Sequence, residues 1–184
     1  MALRARPAST GALGDKAVLD TPFTINVATQ ELIQNRQAQT IGEVFKGDPA
    51  VTANNDGYIG EASNITIRGL QLDLLEGYKV DGLAVPNWGS DVPLEHFERV
   101  ELLKGLSGFM YGFGTPGGIA NFVTKRPTNT FGGSATFGYT SGGTLKESID
   151  LGGRFEDQRF GYRFNAASER LRSIIKGADG QWHD

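Results

Sequence analysis

Cysteine is absent from the 184 residues, and the only two histidines, His96 and His183, stand far apart in the chain. The first absence removes disulfides, thiolate catalysis and cysteine-ligated zinc or iron–sulfur sites together. The second leaves no histidine spacing suited to a metal site. Positive charge is scarce as well: 18 Lys and Arg against 21 Asp and Glu give a net charge of -3. No global positive field therefore invites nucleic acid. No apolar stretch approaches the ~20 residues of a membrane-spanning helix. The basic start, Met1 to Arg6, is not followed by an apolar signal core. If the natural protein is exported, its leader is expected outside this sequence.

What the chain has in excess is glycine, 26 residues, about twice the usual share of roughly 7%. The glycines follow no three-residue period, which excludes collagen and points to tight turns and close backbone approaches. Residues 1–19 lack sustained periodicity and are expected to form a flexible arm. In TPFTINVA (21–28), Phe23, Ile25 and Val27 alternate with Thr24 and Asn26, as in a half-buried strand. Thr29 can cap a short helix, and Thr40-Ile-Gly-Glu43 is a capping-box pattern for a second. NITIRG (64–69) alternates again, GYKVDGLAV (77–85) suggests two strands around an Asp-Gly turn, and Asp91 and Pro93 suit the start of a brief helix. ERVELLKG and GIANFVTK supply two further strands.

The texture changes after Pro127. Ala135, Phe137 and Tyr139 share one face of SATFGYT. Ile149, Leu151 and Phe155 oppose Ser148, Asp150, Gly152 and Arg154, and Phe160, Tyr162, Phe164 and Ala166 oppose Gly161, Arg163, Asn165 and Ala167. Segments of about ten residues with one aromatic and one polar face are the pattern of a membrane β-barrel. An antiparallel sheet with one wet face fits the same alternation.

Three catalytic or metal motifs fail on inspection. Gly112-Phe-Gly114-Thr-Pro-Gly117 fits G-x-G-x-x-G, but a dinucleotide loop must open a helix, and IANFVTK is short and rich in β-branched residues. TANNDGYIGEAS (52–63) resembles the middle of a calcium loop, yet Thr52 and Ser63 occupy the positions that need the first and the bidentate carboxylate. Gly105-Leu-Ser-Gly108 misses the nucleophile elbow by one residue.

The ordered series VLDTPFTINV (18–27), TIGEVFKGDPAV (40–51), IRGL (67–70), VDG (80–82) and ERVELLKG…YGFGTPGGIANFVTKRPT (98–128) resembles the plug domain of TonB-dependent outer-membrane receptors, in the ferric-siderophore branch. Glu98, Arg99, Glu101, Lys104, Gly105, Tyr111, Gly112, Pro116, Gly117, Gly118, Asn121, Thr124, Lys125, Arg126 and Pro127 match the pattern. Leu106 stands where the family usually has Pro, and Leu70 where it has Phe. The resemblance implies an α+β plug over residues 20–128, a mixed sheet of about four strands with short helices. It implies that 129–184 are the first strands of an incomplete antiparallel β-barrel. The family barrel has about 22 strands, of which about three fit here.

The same resemblance implies roles. Arg68 and Lys104 match cations that lock the plug to carboxylates of the barrel wall; with that wall outside this chain, they are expected to be solvated or paired with Glu98 or Glu101. Tyr111, Gly112, Pro116, Gly117 and Gly118 would shape a structural turn. Gln71, Leu72, Asn87 and Trp88, in two apical loops, would contact the ligand, Trp88 through its aromatic face. Partners would be a ferric siderophore that itself carries the iron, so that no protein metal ligand or cofactor is needed, together with the TonB coupling protein and outer-membrane lipid. A TonB box is not recognisable in residues 1–17. The expected function is binding and gating without catalysis, in the bacterial outer membrane. A soluble plug-like binding or signalling module without a barrel is the alternative, and the aromatic strands discriminate, since they would be a liability in water.

Overall fold

The computed structural model describes residues 8–9, 15–16, 24–54, 62–88, 91–105, 116–139, 144–155 and 159–170. The chain divides into two units, Met1–Thr124 and Lys125–Asp184. The arm expected over 1–19 is described only at β1 (Ala8–Ser9) and β2 (Asp15–Lys16), which pair antiparallel.

In the first unit, β3 (Ile25–Thr29) leads into α1 (Gln30–Arg36), where the Thr29 hydroxyl accepts from the Leu32 amide. The chain leaves α1 through Gln37, in the left-handed region at φ 52°. The second short helix, α2 (Ile41–Val44), carries the complete capping box: the Glu43 amide donates to Thr40 Oγ1, and Glu43 Oε2 accepts from the Thr40 amide. Both helices were legible because capping is local chemistry.

β4 (Val51–Asn54), β5 (Asn64–Ile67) and β6 (Leu70–Gln71) form a small antiparallel sheet. The β5–β6 turn is Arg68-Gly69, both at positive φ (52° and 82°), the backbone that a two-residue hairpin of matching twist requires. Alternation in 23–28, 64–68, 98–104 and 119–124 leads one to expect all four in one sheet, and the structure corrects this for 64–68. Turning back at Arg68 commits β5 to β4 and β6, and its place in the main sheet is taken by the hairpin β7 (Tyr78–Val80) and β8 (Leu83–Ala84) around Asp81-Gly82.

The main sheet has the order β3-β9-β10-β7-β8, with β10 (Gly118–Thr124) in the middle and β9 (Phe97–Lys104), its longest strand, beside it in the interior. It is mixed: β7 runs parallel to β10 and the other pairs are antiparallel. Pro93 precedes a single 3-10 turn, Leu94–His96, in place of the expected helix. On one face Ala28, Val100, Leu102, Ala120, Phe122 and Tyr78 meet Ile33, Ile41, Val44 and Phe45 from the helices and Ile65 and Ile67 from the small sheet. Phe97 and Phe122 pack tilted, with ring centroids 5.2 Å apart.

The glycine motif resolves the same way. Gly118 opens a strand, not a helix, and pairs with Lys104. Its φ is +136°, and a Cβ there would lie 2.1 Å from the Leu103 carbonyl oxygen. Tyr111 and Gly112 lie outside the described residues. Of the calcium-like stretch, Thr52–Asn54 are strand, paired with Asn64–Thr66.

The second unit is an antiparallel meander, β11 (Gly132–Tyr139), β12 (Leu145–Arg154) and β13 (Gly161–Arg170), in chain order. Its register places Leu151 opposite Phe164 and Ile149 between Ala135 and Ala166, so the apolar positions share one face.

The Gly118 geometry gives a direct test. Gly118→Ala is expected to destabilise the chain by about 2–4 kcal/mol, since the added carbon meets backbone that cannot swing aside. Urea unfolding followed by circular dichroism checks it; an unchanged midpoint would contradict the close approach of β9 and β10.

Candidate functional site

Two loops of the first unit carry the residues matched to ligand contact. Beyond β6, the Leu72 amide donates to the Ile65 carbonyl (3.0 Å) and its side chain enters the core. Asp73 then organises the turn. Its Oδ1 accepts from the Leu75 and Glu76 amides, both at 2.8 Å, and its carbonyl accepts from the Gly77 amide at 2.9 Å. This Asx-type turn leaves Leu74 and Leu75 facing outward. Gly77 fits because any Cβ would meet the Asp73 carbonyl oxygen at 2.5 Å.

The second loop leaves β8 with the Val85 amide donating to the Tyr78 carbonyl (2.9 Å). Asn87 then ties three segments. Its amide donates to the Leu74 carbonyl at 2.8 Å, and its side-chain Nδ2 donates to the Ser63 carbonyl at 2.8 Å. Trp88, the next residue, is 68% exposed. Of the four expected contacts, Gln71 and Trp88 are exposed, whereas Leu72 and Asn87 are 1% and 5% exposed. Leu72 is a core residue and Asn87 a buried brace, so the last two hold the loops while the first two are presented. A polar residue beside a loop tryptophan reads as solvent-facing; only the fold reveals the Ser63 carbonyl that it satisfies.

The brace continues inward. Tyr78 donates its hydroxyl to Asn64 Oδ1 (2.6 Å), which also accepts from the Ile65 amide (2.7 Å). The Ser63 amide donates to Asp91 Oδ1 at 2.9 Å. Burial pushes the Tyr78 phenol well above the usual tyrosine range, and the Asp91 charge adds to it. Tyr78 therefore stays a neutral donor at any physiological pH.

The residues matched to a lock sit elsewhere in the same unit. Arg68 is exposed on its turn, with its amide donating to the Ala50 carbonyl (2.8 Å). Lys104 pairs with Asp48, both side chains almost fully buried; Asp48 also accepts from Asn26 Nδ2 and from the Ala50 amide at 3.0 Å. This partner differs from the expected Glu98 or Glu101 for a geometric reason. Three positions along a strand put Glu101 on the opposite face from Lys104, and six positions put Glu98 about 20 Å away. Glu101, fully buried, accepts from Arg99 Nε (2.7 Å) and from Asn121 Nδ2 (3.1 Å), and Glu98 pairs with Arg99. Asn121 Oδ1 accepts from the Gly82 amide (2.9 Å), and Asp81 accepts from the Thr124 amide (3.0 Å) and hydroxyl (2.6 Å). The Asp-Gly turn is thereby fastened to the end of β10.

The second unit holds a cluster that sequence reading missed. Arg163 donates through Nε and Nη2 to both Asp150 oxygens, each at 2.6 Å, and Lys125 Nζ donates to Asp150 Oδ2 (2.9 Å) and Asn165 Oδ1 (3.3 Å). Alternation assigned Asp150, Arg163 and Asn165 to one face but could not bring Lys125, from before β11, onto them.

Comparison with known proteins agrees with this architecture. The family model described as TonB-dependent receptor plug domain matches residues 17–119. The ferric-pyoverdine 358 receptor of Pseudomonas putida is 30% identical over 174 residues, which is 89% of this chain and 20% of that protein. The ferrichrome receptor FcuA of Yersinia enterocolitica is 31% identical over 170 residues, 90% of this chain and 22% of that protein. The crystal structure of BauA, the ferric preacinetobactin receptor from Acinetobacter baumannii, superposes with a TM-score of 0.80 at 31% identity, covering 95% of this chain and 26% of its own. The chain thus spans about a fifth to a quarter of these relatives.

The Asp48–Lys104 pair predicts a pH dependence. Burial alone would raise the Asp48 pKa, but hydrogen bonds from Lys104, Ala50 and Asn26 with the Lys104 charge outweigh it and hold the carboxyl below its usual 3.8. A depressed folded-state pKa contributes stability that is present above the ordinary value and is lost as pH falls through the depressed one. Asp48→Asn is therefore expected to cost about 3 kcal/mol at neutral pH, because it takes the Asp48 charge away from a buried lysine, with the deficit shrinking below about pH 4. Urea midpoints of both chains at pH 7 and pH 3 check this; a deficit that does not change with pH contradicts it.

Proposed function

Because the chain belongs to the TonB-dependent receptor plug-domain family, we propose that it is the plug and first barrel strands of an outer-membrane receptor that binds a ferric siderophore and gates its TonB-dependent import. The family is one of transporters, so no bond is made or broken, and the iron travels inside its chelator. Two of its relatives are receptors for ferric pyoverdine and for ferrichrome, which supports the siderophore branch. On this reading Gln71 and Trp88 touch the ligand. Leu72 and Asn87 keep their loops in place, and Arg68 answers to the barrel wall.

The observation that carries the membrane reading is the aromatic face of the meander. Phe137, Tyr139, Phe160 and Phe164 are each more than half exposed, and Ile149, Leu151 and Tyr162 accompany them on that face. A run of large apolar side chains facing outward is stable against lipid and adverse in water. A soluble signalling module would leave it bare.

Two outcomes follow. Ending the chain at Pro127 should raise the soluble yield and remove any need for detergent, because the unpaired edges of β11 and β13 go with the aromatic face. If the shortened chain is no more soluble, the lipid-facing assignment is wrong. In the complete receptor, Trp88→Ala should weaken the binding of the recognised ferric chelate by several-fold up to about tenfold, as expected for losing a packed aromatic contact. Equilibrium binding measures it, and an unchanged dissociation constant removes Trp88 from the site.

A further inference from the structure

We infer that the plug's part of the binding surface selects an uncharged ferric chelate over a polyanionic one. The inference rests on reading Gln71 and Trp88 as ligand contacts. Between Leu70 and Glu95 the sequence holds Asp73, Glu76, Asp81, Asp91 and Glu95 against one cation, Lys79. That cation is buried and paired with Glu76 at 3.1 Å, so it is not offered to a ligand. Asp73 accepts from two loop amides and Asp91 from Ser63, whereas Asp81, bound to Thr124, lies at the other end of the β7–β8 hairpin, so Asp73 and Asp91 are the carboxylates fixed beside the loops. These hydrogen bonds fix the carboxylates in place without cancelling their charge.

Apart from Glu76, half-exposed and paired with Lys79, the two loops present neutral groups outward: the Gln71 amide, Leu74, Leu75 and the Trp88 ring. Contact there is made by apolar area, an aromatic face and one uncharged amide, within a negative surround. An anion approaching the two loops loses its water and meets no exposed cation on them in exchange, while the fixed carboxylates repel it. Iron(III) bound by three singly charged hydroxamates sums to zero, whereas three doubly charged catecholates leave the complex with three negative charges. The geometry therefore suits the first class. Arg68 is the other cation to consider. It lies on the β5–β6 turn, with Nη1 3.9 Å from where a Cβ on Gly105 would stand, and it is the group through which a polyanion would have to be held.

The test uses the full-length receptor carrying this plug, in detergent, with two radio-iron probes: an uncharged hexadentate ferric tris-hydroxamate and a hexadentate ferric tris-catecholate. The hydroxamate is expected to bind about tenfold tighter or more. Gln71→Lys should shift the catecholate-to-hydroxamate affinity ratio by roughly threefold or more toward the catecholate at low salt, and the shift should shrink at high salt, because the new charge favours a charged ligand whatever both probes lose with the Gln71 contact. Tighter binding of the catecholate by the unaltered receptor overturns the inference, and its loss in Arg68→Gln would show how the anion is held. A hydroxamate preference whose affinity ratio Gln71→Lys leaves untouched at low salt places the selection elsewhere in the receptor and also overturns it. Trp88→Ala separates the two levels: if it weakens whichever chelate is bound, the contact reading stands even where the charge preference has failed. If it changes neither affinity while Gln71→Lys acts as expected, the aromatic contact fails and the charge selection stands. Binding of neither probe overturns both.

Discussion

The constraint on which the first unit depends is that β9 is a central strand with both faces covered, and yet it carries charges. Val100, Leu102 and Leu103 are at most 1% exposed, and so is Glu101 between them. A buried carboxylate or ammonium is tolerated only with its hydrogen-bonding capacity met and an opposite charge close by. The strand meets this on both faces. Glu101 takes Arg99 along its own strand and Asn121 across from β10. Lys104 takes Asp48, from the segment after α2, with Asn26 of β3 completing the carboxylate's partners. Each compensation joins different parts of the chain, so the charges specify which elements meet the strand as well as stabilising the meeting. Apolar residues of similar size would pack as well but would discriminate less between alternative neighbours.

The apical loops follow the same logic at smaller scale. A loop that presents large apolar side chains to solvent gains nothing from their burial, so its shape must come from its backbone and from polar groups beneath. Asp73 fixes one loop by three hydrogen bonds, Asn87 fixes the second to the first, and Tyr78 and Asn64 close the polar layer below. The groups of that layer bond to one another and to loop backbone, the condition under which a buried network is rigid instead of a weakness. Preorganisation of this kind lowers the ordering cost of binding.

How much of this was legible depended on the range of the interaction. The Thr29 cap, the Thr40–Glu43 capping box, the Asp81-Gly82 turn and the alternation of β11–β13 are set by residues within a few positions of one another, and the structure has them where the sequence put them. The strand over 64–67 was legible as a strand, but its sheet was not, because alternation states which way side chains point and not which neighbour supplies hydrogen bonds. The partner of Lys104 lies 56 positions back, in the Gly47-Asp48-Pro49 stretch that follows the second helix, and nothing local links the two. Asn87 and Leu72 looked like loop residues, and their burial is decided by Ser63 and by the core, neither of which a local pattern contains. The phosphate reading of Gly112-Phe-Gly114-Thr-Pro-Gly117 failed already in sequence, but what the next glycine, Gly118, is for was not legible, since the Leu103 carbonyl that requires its freedom belongs to another strand.

In the meander, parity governs everything, and the charged cluster enforces it. Asp150, Arg163 and Asn165 occupy the face opposite Ile149, Leu151, Tyr162 and Phe164. A one-residue slip of β12 against its neighbours would exchange the faces, breaking the two-pronged Arg163–Asp150 pair and Lys125's hold on Asp150. In a lipid setting the same slip would turn charges outward, at about 2–4 kcal/mol for an arginine near the bilayer midplane. The alternation alone would leave register to the apolar side, where Phe, Tyr, Ile and Leu are interchangeable in a fluid environment. Arg163 instead lies across Gly152, where a Cβ would meet its Cδ at 2.7 Å, and reaches Asp150 in one geometry only. The polar face thus fixes the pairing that the aromatic face exploits, and the glycine opposite the arginine is part of that device.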